Sequence, residues 1–343
     1  MRTILRQKLC FLFCLSAFFL LASPLFAQKV INVKLASLVP ENTAWGQAIN
    51  RLAAEWARIS NGQLNVIVFH GGTAGTEPEV ISMIRSNQLQ AGVFTSMGLN
   101  SITPEIMAFS YPFLIRNEAE YKAVMNKLRG DLDAKMRQNG FVTAAWAHAG
   151  WIKVFSKVPV FTPADLRALR LGTGTDDLSM VKAFVELSYR TVPAELNQQL
   201  MSLQSNRIDA IYNSPIFVAG NQLFGVAGNM PSINIAPFMG GILINNVTWR
   251  KIPEKIKPAL LESCKRIEKE IEDSISKLEA DAISIMIRHG LKINELTPAQ
   301  AQIWYDDTAK HENKLVGTVN PIFNREYYLR IRDILHEYRM SRE

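Results

Sequence analysis

Strand-like and helix-like segments alternate through the first third of this chain, and that alternation constrains the fold more than any other feature. The residues 30–38 have a strand pattern, 43–59 carry apolar residues at helical spacing, and 64–69 have a second strand pattern. A helix at 77–86 and a strand at 89–94 complete a β-α-β-α-β series. Such a series predicts an α/β fold with an open, largely parallel sheet covered by helices.

A second α/β series begins near Trp151, after a helical pattern at 118–138 and a strand pattern at 142–147. It ends in a long helix, predicted from about 254 to 289, whose apolar residues recur every three or four positions. Its strand patterns lie at 153–156, 169–172 and 208–212, and its shorter helical patterns at 178–187 and 196–205. Two such series in 343 residues predict two domains.

Residues 1–27 have the layout of a secretory signal peptide. Three basic residues precede an uncharged, mostly apolar run at 9–22, and Ala27 offers a small residue before cleavage at Gln28. The run is shorter than the roughly 20 residues that span a membrane. We therefore expect export to the periplasm and removal of this peptide.

Charge, cysteine and histidine patterns exclude several classes of function. Of 38 basic residues three lie in the signal segment, which leaves 35 against 31 acidic residues and no basic block that suggests nucleic acid. Two of the three cysteines lie in the same segment, and Cys264 is expected to be buried in a helix. The five histidines have no metal-ligand spacing and no nucleophile signature. We expect no cofactor, no metal and no catalytic set.

A glycine-rich turn at 70–75 (HGGTAG) follows a strand and opens a helix. It lacks the Lys-Ser/Thr pair of a phosphate-binding loop and has Pro78 in the first helical turn. This pattern favours a tight strand-to-helix turn.

Four segments resemble motifs of the DctP-type solute-binding subunit of tripartite ATP-independent periplasmic (TRAP) transporters, in the same order and at similar spacing. They are GGTAG at 71–75, PE with YPFL at 104–114, TPADLRALRL at 162–171, and LQSNRID at 203–209 followed by Asn213. The segments VTW at 247–249 and IP at 252–253 also fit.

The resemblance implies a two-lobed periplasmic binding protein, type II-like, that holds a small molecule between its lobes. It also implies integral membrane transporter subunits as partners, and one branch of the family works with a periplasmic tetratricopeptide-repeat protein. We expect each lobe to be a mixed, mostly parallel sheet flanked by helices, with crossing strands and the long C-terminal helix between them. The expected division is lobe one at 28–149 plus about 238–275, and lobe two at about 150–237 plus about 276–343.

The departures from the family pattern concern the ligand. The family usually binds organic acids through an arginine at the end of the 169–172 strand, and here that position is Gly172. A second family arginine corresponds to Ile152. An arginine matches a carboxylate in two parallel hydrogen bonds, so its loss removes much of the affinity for an acid. The sequence therefore predicts a hydrophobic or amphipathic ligand.

The expected ligand-binding residues combine apolar walls with a few polar anchors: Trp45, Phe94, Thr95, Trp151, Ile152, Gly172, Thr173, Leu196, Asn213, Phe217, Phe238 and Met239. One alternative is an organic-acid binder that uses Arg170 as its carboxylate anchor. Others are an enzyme on the same scaffold and an assembly protein with a vestigial cleft.

Overall fold

The computed structural model describes residues 30–174 and 177–342, and the predicted signal peptide lies outside them. Ten strands occur in the described ranges: β1 Ile31–Ser37, β2 Leu64–Phe69, β3 Ala91–Thr95, β4 Phe141–Ser156, β5 Arg170–Thr173, β6 Arg190–Pro193, β7 Ala210–Asn213, β8 Asn229–Pro231, β9 Ala236–Asn245 and β10 Lys292–Asn294.

Thirteen α-helices surround these strands in the same part of the chain: α1 Ala44–Ile59, α2 Glu77–Arg85, α3 Ser96–Asn100, α4 Glu118–Gln138, α5 Pro163–Arg167, α6 Leu178–Glu186, α7 Gln199–Gln204, α8 Pro215–Gly220, α9 Asn246–Lys251, α10 Lys257–Arg288, α11 Pro298–Lys310, α12 Glu312–Val316 and α13 Arg325–Met340. Short 3-10 helices lie at Pro104–Ser110, Leu196–Gln198, Leu223–Gly225 and Glu254–Ile256. Among the described helices, none is long and apolar enough to cross a membrane.

The strands follow the order β2-β1-β3-β9-β4-β7-β5-β6, with β8 and β10 beside this path. The pairs β1–β2, β1–β3, β5–β6 and β5–β7 are parallel, as the two α/β series predict. The strands β9 and β4 run antiparallel to their neighbours and join the two groups. The predicted α/β class and mixed, mostly parallel sheets are therefore confirmed.

The strand β4 connects the two parts of the sheet, although the sequence predicts two separate strands there. Its first part pairs with β9 and its last four residues pair with β7. Its register against β9 shifts between His148 and Trp151, and Gly150 has a φ of +97° there. A left-handed residue next to a register shift bends a strand without ending it. The bend interrupts the alternation of buried and exposed side chains from which a continuous strand would be predicted.

The helix α10 packs its apolar stripe against β4 and α1. Ile267, Ile271 and Ile275 are buried on this stripe, as their spacing predicts. Leu278, which follows Ile275 at helical spacing, is 38% exposed because it lies where the helix passes a cavity. Cys264 is fully buried, and burial raises the pKa of its thiol to about 12, which disfavours the reactive thiolate.

The C-terminal helix α13 contacts both parts of the molecule. Tyr327, Ile331 and Leu335 pack in the cluster that contains α4, while Tyr328 packs in the cluster below β5 and β7. Asp131 on α4 accepts hydrogen bonds from Tyr327 and from Arg330 of α13. The division of the chain into two lobes at the expected boundaries remains a prediction.

Candidate functional site

Two neighbouring cavities lie beside β4, β7 and β9, where the two parts of the sheet meet. The smaller, which we call the polar cavity, has a volume of about 140 Å³. Its polar lining residues are Ser96, Ser110, Asp177, Gln199, Tyr212 and Asn213, and its apolar ones include Met97, Met107, Ile152, Met180, Leu196 and Phe238. These residues come from α3 and the helix before α4 on one side, and from α6, α7 and β7 on the other.

The larger, which we call the apolar cavity, has a volume of about 560 Å³. It lies between the β1–α1 loop, β3, the start of α8 and the middle of α10. Its walls include Leu38, Trp45, Phe94, Met239, Ile275 and Leu278. Phe238 lines both cavities.

The short helix α3 is held rigidly between the two cavities. Thr95 caps its start and accepts a hydrogen bond from the Met97 amide at 3.3 Å. The Glu77 carboxylate accepts from the Thr95 amide and hydroxyl at 2.5 and 2.9 Å. Ser96 exchanges two hydrogen bonds with the Met239 backbone, at 3.0 and 3.1 Å. These bonds tie the wall formed by α3 to β9.

Gln199 is the most buried of the amide side chains in the polar cavity. It lies at the start of α7 and is 2% exposed, and its Oε1 has no hydrogen-bond partner among the described residues. On the adjacent β7, the Oδ1 of Asn213 accepts from the Ser214 amide at 2.8 Å. This bond leaves the Nδ2 of Asn213 as the donor that the side chain can offer to the cavity.

The described parts of the cavity walls contain no basic side chain. None of the described residues that line either cavity is Lys, Arg or His, and the charged lining residues are Asp177 and Glu77. Asp177 caps α6, where its Oδ1 accepts from the Met180 amide at 3.3 Å. A ligand in these cavities would therefore contact neutral donors, acceptors and apolar groups, with negative charge at two points.

Eight of the twelve expected ligand-binding residues line the cavities. Ile152, Leu196, Asn213 and Phe238 line the polar cavity. Trp45, Phe94, Thr95 and Met239 line the apolar cavity, together with Phe238.

The other four expected residues line neither cavity. Gly172 faces the core, where an added Cβ would lie 2.6 Å from the Cδ1 of Ile208. Thr173 is 2% exposed at the last position of β5, and Trp151 is buried with its ring edge against His148, at 5.1 Å between centroids. Phe217 packs against the core cluster below α8 and α10. Strand alternation and helix packing turn these side chains away from the cavities.

Arg170 does not line either cavity. Its Nε and Nη2 donate to the two carboxylate oxygens of Asp209, both at 2.7 Å. It lies at the first residue of β5, and Asp209 directly precedes β7. In this position the Nε–Nη2 edge of the guanidinium is directed at a partner outside the cavities.

Several lining residues were missed by the sequence analysis: Ser96, Ser110, Asp177, Met180 and Gln199. In the run Asn197-Gln198-Gln199 three amides follow one another, and nothing in the pattern says which one is buried. The helical spacing of Gln199 with Ser202 and Leu203, which are also buried, was the only available signal.

The comparison with protein families decides the identity. The model of the bacterial extracellular solute-binding protein family 7, DctP, matches residues 35–315. This chain is a DctP-family solute-binding protein. The resemblance seen in the four sequence segments is therefore confirmed.

Two curated relatives support this membership of the DctP family. The C4-dicarboxylate-binding protein DctB of Bacillus subtilis is 22% identical over 320 residues, covering 90% of this chain and 87% of that protein. The 2,3-diketo-L-gulonate-binding periplasmic protein YiaO of Escherichia coli is 25% identical over 209 residues, covering 60% and 62%.

A solved structure has the same fold. It is a TRAP periplasmic solute-binding protein from Chromohalobacter salexigens with bound D-glucuronate, and it matches with a TM-score of 0.77 at 18% identity. The match covers 88% of this chain and 99% of that one. The names of all three proteins specify organic acids, and these acid-binding relatives contradict the prediction of a hydrophobic ligand.

Proposed function

We propose that this DctP-family protein is the extracytoplasmic solute-binding subunit of a TRAP transporter and that it captures a small, polar organic acid in the polar cavity. The observation that carries the proposal is the convergence there of Gln199 and Asn213 with the hydroxyl group of Ser110. The acids named for its relatives belong to the same chemical class.

The acid would be recognised without an arginine. A hydrogen bond to a charged group contributes about 1.5–3 kcal/mol, so two or three neutral donors can replace much of what one guanidinium supplies. The Nδ2 of Asn213 and the hydroxyl group of Ser110 are such donors, and they also suit the hydroxyl groups of a sugar acid. The Nδ2 of Asn213 favours an orientation with the ligand carboxylate toward Asn213.

The role is one of binding and delivery rather than catalysis. The matched family is one of solute-binding proteins, which supports a role in binding. Integral membrane subunits of the transporter would receive the ligand. A periplasmic tetratricopeptide-repeat partner remains a prediction from the resemblance alone.

Mass spectrometry of small molecules extracted from the purified protein tests this proposal. We expect an organic acid in stoichiometric amount. A parallel thermal-shift series uses D-glucuronate, 2,3-diketo-L-gulonate, malate and succinate, with D-glucose as the neutral control. Stabilisation by at least one acid and none by D-glucose supports the proposal, because a ligand that binds only the native state raises its stability. A neutral or purely apolar extracted ligand, with no acid giving a shift, would overturn it.

A further inference from the structure

The polar cavity contains a buried acceptor that the protein itself does not satisfy. Gln199 is 2% exposed, and its Oε1 has no hydrogen-bond partner among the described residues. Buried amide oxygens in native structures are normally paired with protein groups or ordered water, so each exception needs an explanation. Because Gln199 lines the cavity, the missing donor can come from what the cavity holds.

We infer that Gln199 is the residue that selects hydroxylated acids over their deoxy analogues, by accepting a hydrogen bond from a ligand hydroxyl at its side-chain oxygen. This inference rests on the proposed function, and it adds a specificity determinant to it. Without ligand, this buried oxygen has no hydrogen-bond donor among the described residues. A hydroxylated acid supplies the missing donor, whereas a deoxy acid leaves the oxygen unpaired.

The surroundings of Gln199 favour a hydroxyl over a second carboxylate as its partner. A carboxylate offers only acceptors, so it cannot donate to Oε1. On β7, Asn213 offers its Nδ2 as a donor and suits the carboxylate. In this arrangement a hydroxyl group of the ligand contacts Gln199, and its carboxylate contacts Asn213.

Gln199 is positioned for selectivity by the fold around it. It begins α7, directly after the 3-10 helix Leu196–Gln198, and its neighbours Ser202 and Leu203 are buried. The preceding residue, Gln198, is exposed and does not line the cavity. The two adjacent glutamines therefore form a natural pair, one for the test and one for its control.

The test compares Gln199→Met with Gln198→Met by calorimetric titration. Methionine keeps the length of the side chain and removes the amide, so the fold is retained while the acceptor is lost. The probes are malate against succinate, and D-glucuronate against each of its single-deoxy derivatives. In each pair the two acids differ by one hydroxyl group. Sites that hydrogen-bond a ligand hydroxyl reject the analogue that lacks it more strongly than apolar sites do.

We expect the wild-type protein and Gln198→Met to prefer one hydroxylated acid over its deoxy partner by at least about tenfold. In Gln199→Met that preference should fall to within about threefold, while the affinity for the deoxy acid stays within about threefold of the wild type. A Gln199→Glu variant keeps an acceptor and adds a negative charge. Its affinity for both acids should therefore fall, while its preference for the hydroxylated acid should remain.

Two outcomes would overturn the inference alone. One is that Gln199→Met keeps the wild-type preference for the hydroxylated acid, and the other is that it loses affinity equally for both acids of the pair. Absence of binding of every acid by the wild-type protein would overturn the proposed function as well. The ratio of the two affinities within a pair of acids therefore tests the role of Gln199. The binding of any acid tests the proposed function of the cavity.

Discussion

Arg170 and Asp209 form a bidentate ion pair, with both nitrogen-oxygen distances at 2.7 Å. Arg170 is the first residue of β5, and Asp209 directly precedes β7. The Arg170 backbone amide also donates to this carboxylate, at 3.1 Å. These hydrogen bonds from Arg170 lower the pKa of Asp209. The cation that the sequence offers for a ligand carboxylate is thus used to hold two neighbouring strands.

Replacement of Arg170 should leave ligand affinity unchanged. We expect Arg170→Ala to bind the ligand acid with a dissociation constant within about twofold of the wild type, because the side chain lines neither cavity and is paired with Asp209. Calorimetric titration measures this. A loss of more than tenfold would mean that Arg170 leaves Asp209 and reaches the ligand.

An arginine at Gly172 should destabilise the protein instead of creating an acid site. The glycine is buried, and an added Cβ would lie 2.6 Å from the Cδ1 of Ile208. Gly172→Ala should cost about 1 kcal/mol, since the end of the isoleucine side chain can shift. Gly172→Arg should cost several times more, because it also buries an unpaired cation. Urea unfolding of both variants measures this, and a Gly172→Arg protein as stable as the wild type would contradict the packing.

The pair formed by Glu118 and His148 should make stability depend on pH in the acid range. Burial alone would raise the pKa of the Glu118 carboxyl, but its hydrogen bond to His148 and nearby charge lower it to about 2. The Nδ1 of His148 lies 2.8 Å from the Oε2 of Glu118.

Since the folded pKa lies below the unfolded value, Glu118 stabilises the native state above about pH 5, and this contribution is lost as the pH falls toward 2. With a third of the side chain exposed, solvent screening reduces the effect to about 1 kcal/mol. The unfolding free energy of Glu118→Gln should therefore fall less between pH 6 and pH 3 than that of the wild type. Equal slopes would show that the carboxylate is not stabilised by folding.

The hydrogen bond between Trp56 and Ser263 should contribute to the attachment of α10 to α1. The Trp56 indole donates to the Ser263 hydroxyl at 3.1 Å inside the core. Ser263→Ala removes the acceptor and should cost about 1–2 kcal/mol, since a buried donor is then poorly paired. Ser276→Ala, on an exposed turn of the same helix, is the control and should cost less than about 0.5 kcal/mol. Thermal unfolding compares the two, and equal midpoints would contradict this role.

Sequence periodicity predicted those elements whose residues alternate regularly between core and solvent. The α10 helix was predicted because Ile267, Ile271 and Ile275 recur at helical spacing and are buried. The continuity of β4 could not be predicted, because the bend at Gly150 interrupts the alternation where the strand changes partners. Local sequence periodicity therefore predicts individual helices and strands better than it predicts how they continue into one another.

The candidate site was predicted in part, for a related reason. Apolar residues such as Phe94 and Phe238 were expected in the cleft and do line the cavities. The four-residue strand β5 is too short for alternation to show which side of Gly172 faces the ligand. Gln199 was not predicted because its burial depends on how α7 packs. The polar run Asn197-Gln198-Gln199 does not show which of its side chains is buried. The ligand class was wrong because the loss of an arginine was weighed without the neutral donors that surround the cavity.

Calorimetric titration of the wild-type protein, Asn213→Leu and the control Asn221→Leu with D-glucuronate, 2,3-diketo-L-gulonate, malate and succinate tests the central claim most directly. Asn213 lines the polar cavity, whereas Asn221 is exposed at the end of α8 and lines neither cavity. We predict that at least one acid binds the wild type and Asn221→Leu with equal affinity and binds Asn213→Leu at least about tenfold more weakly. Binding of an acid that is unaffected by Asn213→Leu, or no binding of any acid by the wild type, would contradict the account.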